Sequence, residues 1–374
     1  MKVGVEISFA HKPGGARTVA INTIKSLSSL SKNDNFVVFL NKRYKELELE
    51  NVEQKVLSSP SEKLQSLWDH VIFMHFILPF YMKKEDIEIA HYTNNFVPFF
   101  RPCKTVVTIH DMTPFVLPDD YSYLHRKWLR YFFRRATQFA DVIITDSDNS
   151  RKDIINVFNI SREKIHVIPF GISDEFFKME SDTLKKKISK YSVKDRFILN
   201  VGTLHPRKNI ERICFAFKKL KEDKKIPHQL IIVGRRGWSY KQFFNLPKKL
   251  ELTDEIKFLG NVPQEDLPVL YNLAEVFVYP SLYEGFGLPV LEAMACGVPI
   301  VTSNTSSIPE VAGDGAIKVN PYDVDEIAKA IYDLMSDKKL RHEMIGRGLE
   351  RARKFSWERA ARDTLAVYKD LSTL

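Results

Sequence analysis

Cysteine is scarce: the 374-residue chain has three, Cys103, Cys214 and Cys296, far apart and odd in number. That pattern argues against a disulfide framework or a zinc cluster, and all three are expected to be buried small residues. Long apolar runs are missing too. The nearest to one, Val71 to Met82, is shorter than the ~20 apolar residues of a membrane span and carries His75 and Pro79. Met1-Lys2-Val3-Gly4-Val5-Glu6-Ile7 enters a strand pattern with no cleavable apolar stretch ahead of it, so a cytoplasmic protein is expected. There is no internal repeat, low-complexity tract or nucleic-acid motif.

What is present is an alternation of short apolar runs and amphipathic stretches, with 44% hydrophobic residues overall. In the first half, Lys2-Ile7, Phe36-Leu40, Ile89-Tyr92, Thr105-His110 and Val142-Thr145 read as strands. In the second half, Phe197-Val201, Gln229-Val233, Ile256-Leu259, Val276-Tyr279 and Pro299-Thr302 repeat the scheme. Such alternation predicts an α/β chain with two doubly wound parallel sheets and ligands at the carboxyl ends of the strands. The length fits two domains, 1–180 and 181–356, with the boundary in the Lys- and Ser-rich stretch Met179 to Lys194 and a functional cleft between them.

The net charge of +9 points to an anionic partner. Its densest cluster is Tyr121 to Arg135, where Arg126, Lys127, Arg130, Arg134 and Arg135 alternate with Trp128, Tyr131, Phe132 and Phe133. On a helix, Trp128, Tyr131, Phe132 and Arg135 share one face and Arg126, Arg130 and Arg134 another. This fits contact with an anionic membrane surface, and equally a core helix with solvated cations.

The most informative string is Ser281-Leu282-Tyr283-Glu284-Gly285-Phe286-Gly287-Leu288-Pro289-Val290-Leu291-Glu292. It follows a buried strand, turns on two glycines and opens a helix at Leu288, with Pro289 suited to the first turn. A helix N-terminus attracts a pyrophosphate, whereas Glu284 and Glu292 can accept paired hydrogen bonds from vicinal hydroxyls. A phosphate site flanked by two carboxylates suits a sugar nucleotide. The same string also fits an ordinary strand-loop-helix crossover with Glu292 as a dipole partner. Asp146-Ser147-Asp148 matches a metal-binding D-x-D string, but its place between a strand and a helix is better explained by capping, and no metal is expected.

Glu284 and Glu292, with Val201-Gly202-Thr203-Leu204-His205-Pro206-Arg207-Lys208-Asn209 and Thr108-Ile109-His110-Asp111, resemble the retaining glycosyltransferases of family 4 over nearly the whole chain. The resemblance implies the GT-B architecture of two Rossmann-like domains and a final helix, 357–374, returning to the first. It implies that Arg207 and Lys208 clamp the donor pyrophosphate, with the backbone of Gly285, Phe286, Gly287 and Leu288 near the phosphates. Glu284 would hold the hexose and Glu292 the ribose, with Gly234 and Val262 near the base. Gly14 and Gly15 would approach the pyrophosphate or the acceptor, and His110, beside Asp111, would face the sugar. Many relatives carry an arginine after the Gly202 position, where this chain has Thr203.

The expected activity is hexosyl transfer with retention to a glycan or lipid-linked saccharide, needing no cofactor. The variants around Arg207 and His110 are most similar to bacterial mannosyltransferases, so GDP-mannose is the first expected donor and UDP-glucose the second. A sugar-nucleotide epimerase and a non-catalytic sugar-nucleotide binder are the alternatives.

Overall fold

The computed structural model describes all residues except 12–13, 58–71, 181–183, 185–186, 188, 238–239 and 374. The chain divides into two units, Met1–Gly171 with Ser356–Leu374, and Ile172–Phe355.

Among the described residues the first unit holds seven strands: β1 (Lys2–Glu6), β2 (Asn35–Leu40), β3 (Val52–Val56), β4 (Ile89–Tyr92), β5 (Lys104–Thr108), β6 (Val142–Thr145) and β7 (Ile165–Val167). They pair in parallel in the order β3-β2-β1-β4-β5-β6-β7. The second unit holds β8 (Phe197–Val201), β9 (Gln229–Val233), β10 (Ile256–Gly260), β11 (Val276–Tyr279), β12 (Ile300–Ser303) and β13 (Ile317–Val319). Their order is β10-β9-β8-β11-β12-β13, again parallel. Each sheet grows outward from its first strand and then reverses, which puts a switch point between β1 and β4 and another between β8 and β11. Ligands of doubly wound sheets bind outside the carboxyl ends of the strands at such points.

The central strands are apolar almost throughout because helices cover both faces of a parallel sheet. Phe36 to Leu40 on β2 are all buried, as are all five residues of β8. The helix Ile210–Lys224 adds Ile213, Phe217 and Leu220 to the second core, spaced along one helical face. Each such side chain, fully buried, contributes about 1.5–3 kcal/mol.

The first unit closes at Gly171, ahead of the expected boundary near 180, because Ile165–Val167 completes its sheet and Phe170 stacks on Trp357. The last helix, Trp357–Thr373, packs along the helix Gly15–Leu30. Its Tyr368 hydroxyl lies 2.6 Å from His91 Nδ1, and Lys104 Nζ donates to Leu371 O at 2.8 Å.

The basic aromatic segment forms the helix Tyr123–Phe139, but its faces divide differently from the sequence expectation. Trp128 and Phe132 pack against Phe96, whereas Tyr131 faces solvent. Arg126, Arg130 and Arg135 donate to the carbonyls of Pro118, Pro114 and Pro98, so three of the five cations serve the fold. The exposed stripe is Leu124, Lys127, Tyr131 and Arg134. Among the described residues no helix is long and apolar enough to cross a membrane.

Candidate active site

At the switch point of the second sheet, the turn after β8 and the loop after β11 are laced together. The 3-10 turn Pro206–Lys208 ends at Asn209, whose left-handed backbone (φ 61°) starts the helix Ile210–Lys224. The Asn209 amide donates to Pro280 O at 2.9 Å and to Pro321 O at 2.6 Å. Leu282 N donates to Arg207 O at 2.8 Å, and Arg207 Nη1 returns a bond to Tyr283 O at 2.9 Å.

This lacing brings Arg207, Lys208 and Glu284 together. Glu284 is 6% exposed; its Oε1 accepts from Lys208 Nζ at 2.5 Å and from the Tyr279 hydroxyl at 2.9 Å, and its Oε2 lies 2.6 Å from Arg207 Nη1. The Lys208 ammonium also donates to the Tyr279 hydroxyl and sits 4.8 Å from the centre of that ring. Burial alone would raise the Glu284 pKa, but the charges of Arg207 and Lys208 outweigh it and hold the carboxyl down at about 2. The main chain is fixed as well: Glu284 N donates to Ser306 Oγ at 3.1 Å, and Ser307 Oγ donates to Glu284 O and Phe286 O at 2.9 and 3.0 Å.

Gly287, in left-handed backbone (φ 112°), then opens the helix Leu288–Ala295, and a side chain there would meet Ile308 Cδ1 at 2.6 Å. Glu292, on that helix, meets a different environment. Its Oε2 accepts from the Tyr271 hydroxyl at 2.9 Å. Burial raises its pKa to about 7, the Tyr271 bond opposes the rise and the nearby Glu175 adds to it. One carboxylate is thus firmly ionised and the other poised near neutrality. Gly234 and Val262 follow β9 and β10 at the same sheet edge. Gly234 N donates to Gly260 O at 2.9 Å, and Val262 is buried.

In the first unit, His110 lies just beyond β5, which ends two residues earlier than the sequence pattern suggested. Its carboxylate partner is not Asp111. Asp111 Oδ1 accepts from Thr113 N at 2.9 Å and Thr113 Oγ1 at 2.6 Å, tying the start of the next helix. His110 Nδ1 instead meets Asp146 Oδ2 at 2.9 Å, and its Nε2 lies 3.0 Å from Thr93 O. Capping was expected to account for Asp146-Ser147-Asp148, and Ser147 is the cap, accepting from Ser150 N, while Asp148 pairs with Arg151. Asp146 is 2% exposed and turned to His110. The alignment of β5 with β6 carries the signal that finds it: Thr108 pairs with Ile144, so His110 and Asp146 lie at equal distance beyond the paired strands. Gly14 caps the helix Gly15–Leu30, with Thr18 N donating to its carbonyl at 3.2 Å.

Two Rossmann-like sheets, with Arg207 beside the buried Lys208 and Glu284 at the strand ends of the second, define a GT-B glycosyltransferase. The chain belongs to glycosyltransferase family 4. The family model described as Glycosyltransferase Family 4 matches residues 13–176, and the one described as Glycosyl transferases group 1 matches residues 181–351. The chain is 36% identical over 282 residues to O-antigen chain mannosyltransferase B of Escherichia coli, covering 75% of this chain and 74% of that protein. It is 30% identical over 277 residues to the O-antigen chain mannosyltransferase RfbU of Salmonella typhimurium, covering 74% and 73%. Its fold also matches that of Anabaena HepE solved with UDP-glucose, with a TM-score of 0.76, 20% identity and 100% of both chains covered. The protein is a hexosyltransferase enzyme.

Proposed function

We propose that this enzyme transfers mannose from GDP-mannose, with glucose from UDP-glucose as second choice, to a glycan or lipid-linked saccharide, keeping the anomeric configuration and using no metal. The observation that carries this reading is that Arg207 and Lys208 both sit on Glu284 in the free protein. A diphosphate has the charge and the bidentate geometry to take over both cations. Its arrival frees the Glu284 carboxylate for the hydroxyls of the hexose. The mannosyl activity named for the Escherichia coli and Salmonella relatives supports mannose first. Glu292 is assigned to the ribose, Gly234 and Val262 to the base, and Gly285, Phe286, Gly287 and Leu288 to the phosphates. Gly15 is assigned to the donor, and His110, Asp111 and Glu284 to the transfer site.

In the reaction, the acceptor oxygen forms its bond to the anomeric carbon on the face from which the diphosphate leaves. The bond from that carbon to the diphosphate oxygen breaks with its electron pair on the diphosphate, which takes the acceptor proton. Arg207 and Lys208 stabilise the developing charge, the work a divalent ion does in other transferases. Chelation should therefore leave turnover unchanged. Thermal-shift screening against GDP, UDP and ADP with their sugars tests the donor, because a ligand selective for the folded state must raise its stability. GDP-mannose is expected to give the largest shift; no shift with any nucleotide sugar would overturn the reading.

We further propose that the stripe Leu124, Lys127, Tyr131 and Arg134 touches an anionic membrane surface. Each basic residue there is worth about 1 kcal/mol. Reversing the charge at Lys127 and Arg134 should weaken sedimentation with anionic vesicles, and equal binding by that variant would sink the idea.

A further inference from the structure

Both ring nitrogens of His110 face acceptors. Thr93 O, 3.0 Å from Nε2, can only accept, so Nε2 must carry a hydrogen. Nδ1 then faces Asp146 Oδ2 at 2.9 Å. With a neutral imidazole, Nδ1 is a lone pair and that contact needs a proton on Asp146. With an ionised Asp146, the ring must be an imidazolium. The ordinary couple, an ionised aspartate beside a neutral histidine, is one proton short and sets lone pair against lone pair at one of the two contacts.

The surroundings oppose an ionised Asp146 left alone. Its carboxyl is 2% exposed, and His110 is its only hydrogen-bond partner among the described residues. The pair borders a cavity of about 30 Å³ whose other walls include Val5, Val19, Ile144 and Ile168. Such a space has room for a water molecule but supplies little to solvate a charge.

We propose that Asp146 is a positioning residue that shares one retained proton with His110, fixing the ring with both nitrogens occupied so that it serves hexosyl transfer as a fixed polar group and not as a general base. This agrees with a departing diphosphate that takes the acceptor proton, and it rests on the transferase reading only for that last role. Burial by itself would lower the His110 pKa, but the Asp146 charge and hydrogen bond, helped by Asp111, raise it. The Asp146 pKa also rises, to about 6, through burial. Among the described residues, the other titratable groups acting on the pair are Asp111, next in the chain and turned to Thr113, and His91 on β4. A raised histidine pKa means that the proton survives through the usual imidazole range and is lost as pH rises past the raised value.

The test is histidine-selective ¹⁵N NMR of the free protein across pH, with the His110 signals assigned by His110→Gln. Asp146→Asn keeps the shape and lets the amide donate to Nδ1, leaving a neutral ring bonded to Thr93. In the unaltered protein His110 should stay in its proton-sharing form above the ordinary pKa of about 6.5. Asp146→Asn should lower its titration by at least about one pH unit, a tenfold loss of proton affinity. Asp111→Asn should move it less. An unaltered His110 that titrates in the ordinary range overturns the proposal, as does one that Asp146→Asn leaves unmoved. If Asp146→Asn does not fold, the titration of the unaltered protein decides alone. The measurement needs no donor, so failure to find hexosyl transfer would remove the proposed function while leaving this result standing.

Discussion

Replacing Glu284 by glutamine is expected to lower turnover by about 10²- to 10³-fold while nucleoside diphosphate binds at least as tightly as before. Glutamine keeps the size of the side chain and an acceptor oxygen for Tyr279, but removes the charge that Arg207 and Lys208 neutralise. Two clustered cations then await an anion, which a diphosphate supplies and a hexose hydroxyl does not. Breaking a buried pair by removing one partner typically costs 3–5 kcal/mol, so the free variant should melt earlier and gain more stability from diphosphate than the unaltered protein. The pH dependence has a definite sign. Glu284 has a depressed pKa in the folded state, so its ion pairs contribute fully above the usual glutamate value and are lost as pH falls toward about 2. The stability gap between the two proteins should therefore close in acid. Turnover within threefold of the unaltered enzyme would show that Glu284 does not act on the reacting sugar.

Gly234→Ala is expected to destabilise the second unit by on the order of 3 kcal/mol or more. A Cβ at Gly234 would stand 1.8 Å from Gly202 O, and the obstacle is backbone that cannot rotate away. Relief requires separating the loops after β8 and β9, which are bonded from Gly202 N to Val233 O at 2.8 Å and from Leu204 N to Arg235 O at 2.9 Å. At roughly 2–4 °C per kcal/mol for a domain of this size, the transition should fall by about 6–12 °C in calorimetry. Gly346→Ala is the control: it lies in the helix Lys338–Ala352 with nothing within 4 Å of the added carbon, and should stabilise by up to about 1 kcal/mol. Equal melting of the two variants would show that the Gly202 contact is not tight.

The central strands were legible because burial on both faces leaves a continuous apolar run, as in Phe36 to Leu40 and Phe197 to Val201. The strands that went unread are β3, β7 and β13, and all three lie at sheet edges. An edge strand has fewer neighbours, so Val52-Glu53-Gln54-Lys55-Val56 carries three polar residues between its valines and Ile317-Lys318-Val319 is short, and neither stands out from a loop. Arg207, Lys208 and Glu284 were each visible in the sequence, but their mutual pairing joins positions 76 residues apart, which only the order of β8 beside β11 brings together. Asp146 was misread for a related reason. Its string caps a helix locally through Ser147, whereas its partner His110 lies 36 residues away, just beyond the neighbouring strand.

The central claim is that the anomeric configuration of the donor sugar survives transfer from a site built on Arg207, Lys208 and Glu284. It is tested most directly by NMR of the first product formed from GDP-α-mannose, reading the one-bond carbon-proton coupling at the new anomeric centre. Retention gives an α-mannosyl product, formed equally well with and without a chelator. A β-mannosyl product would contradict it.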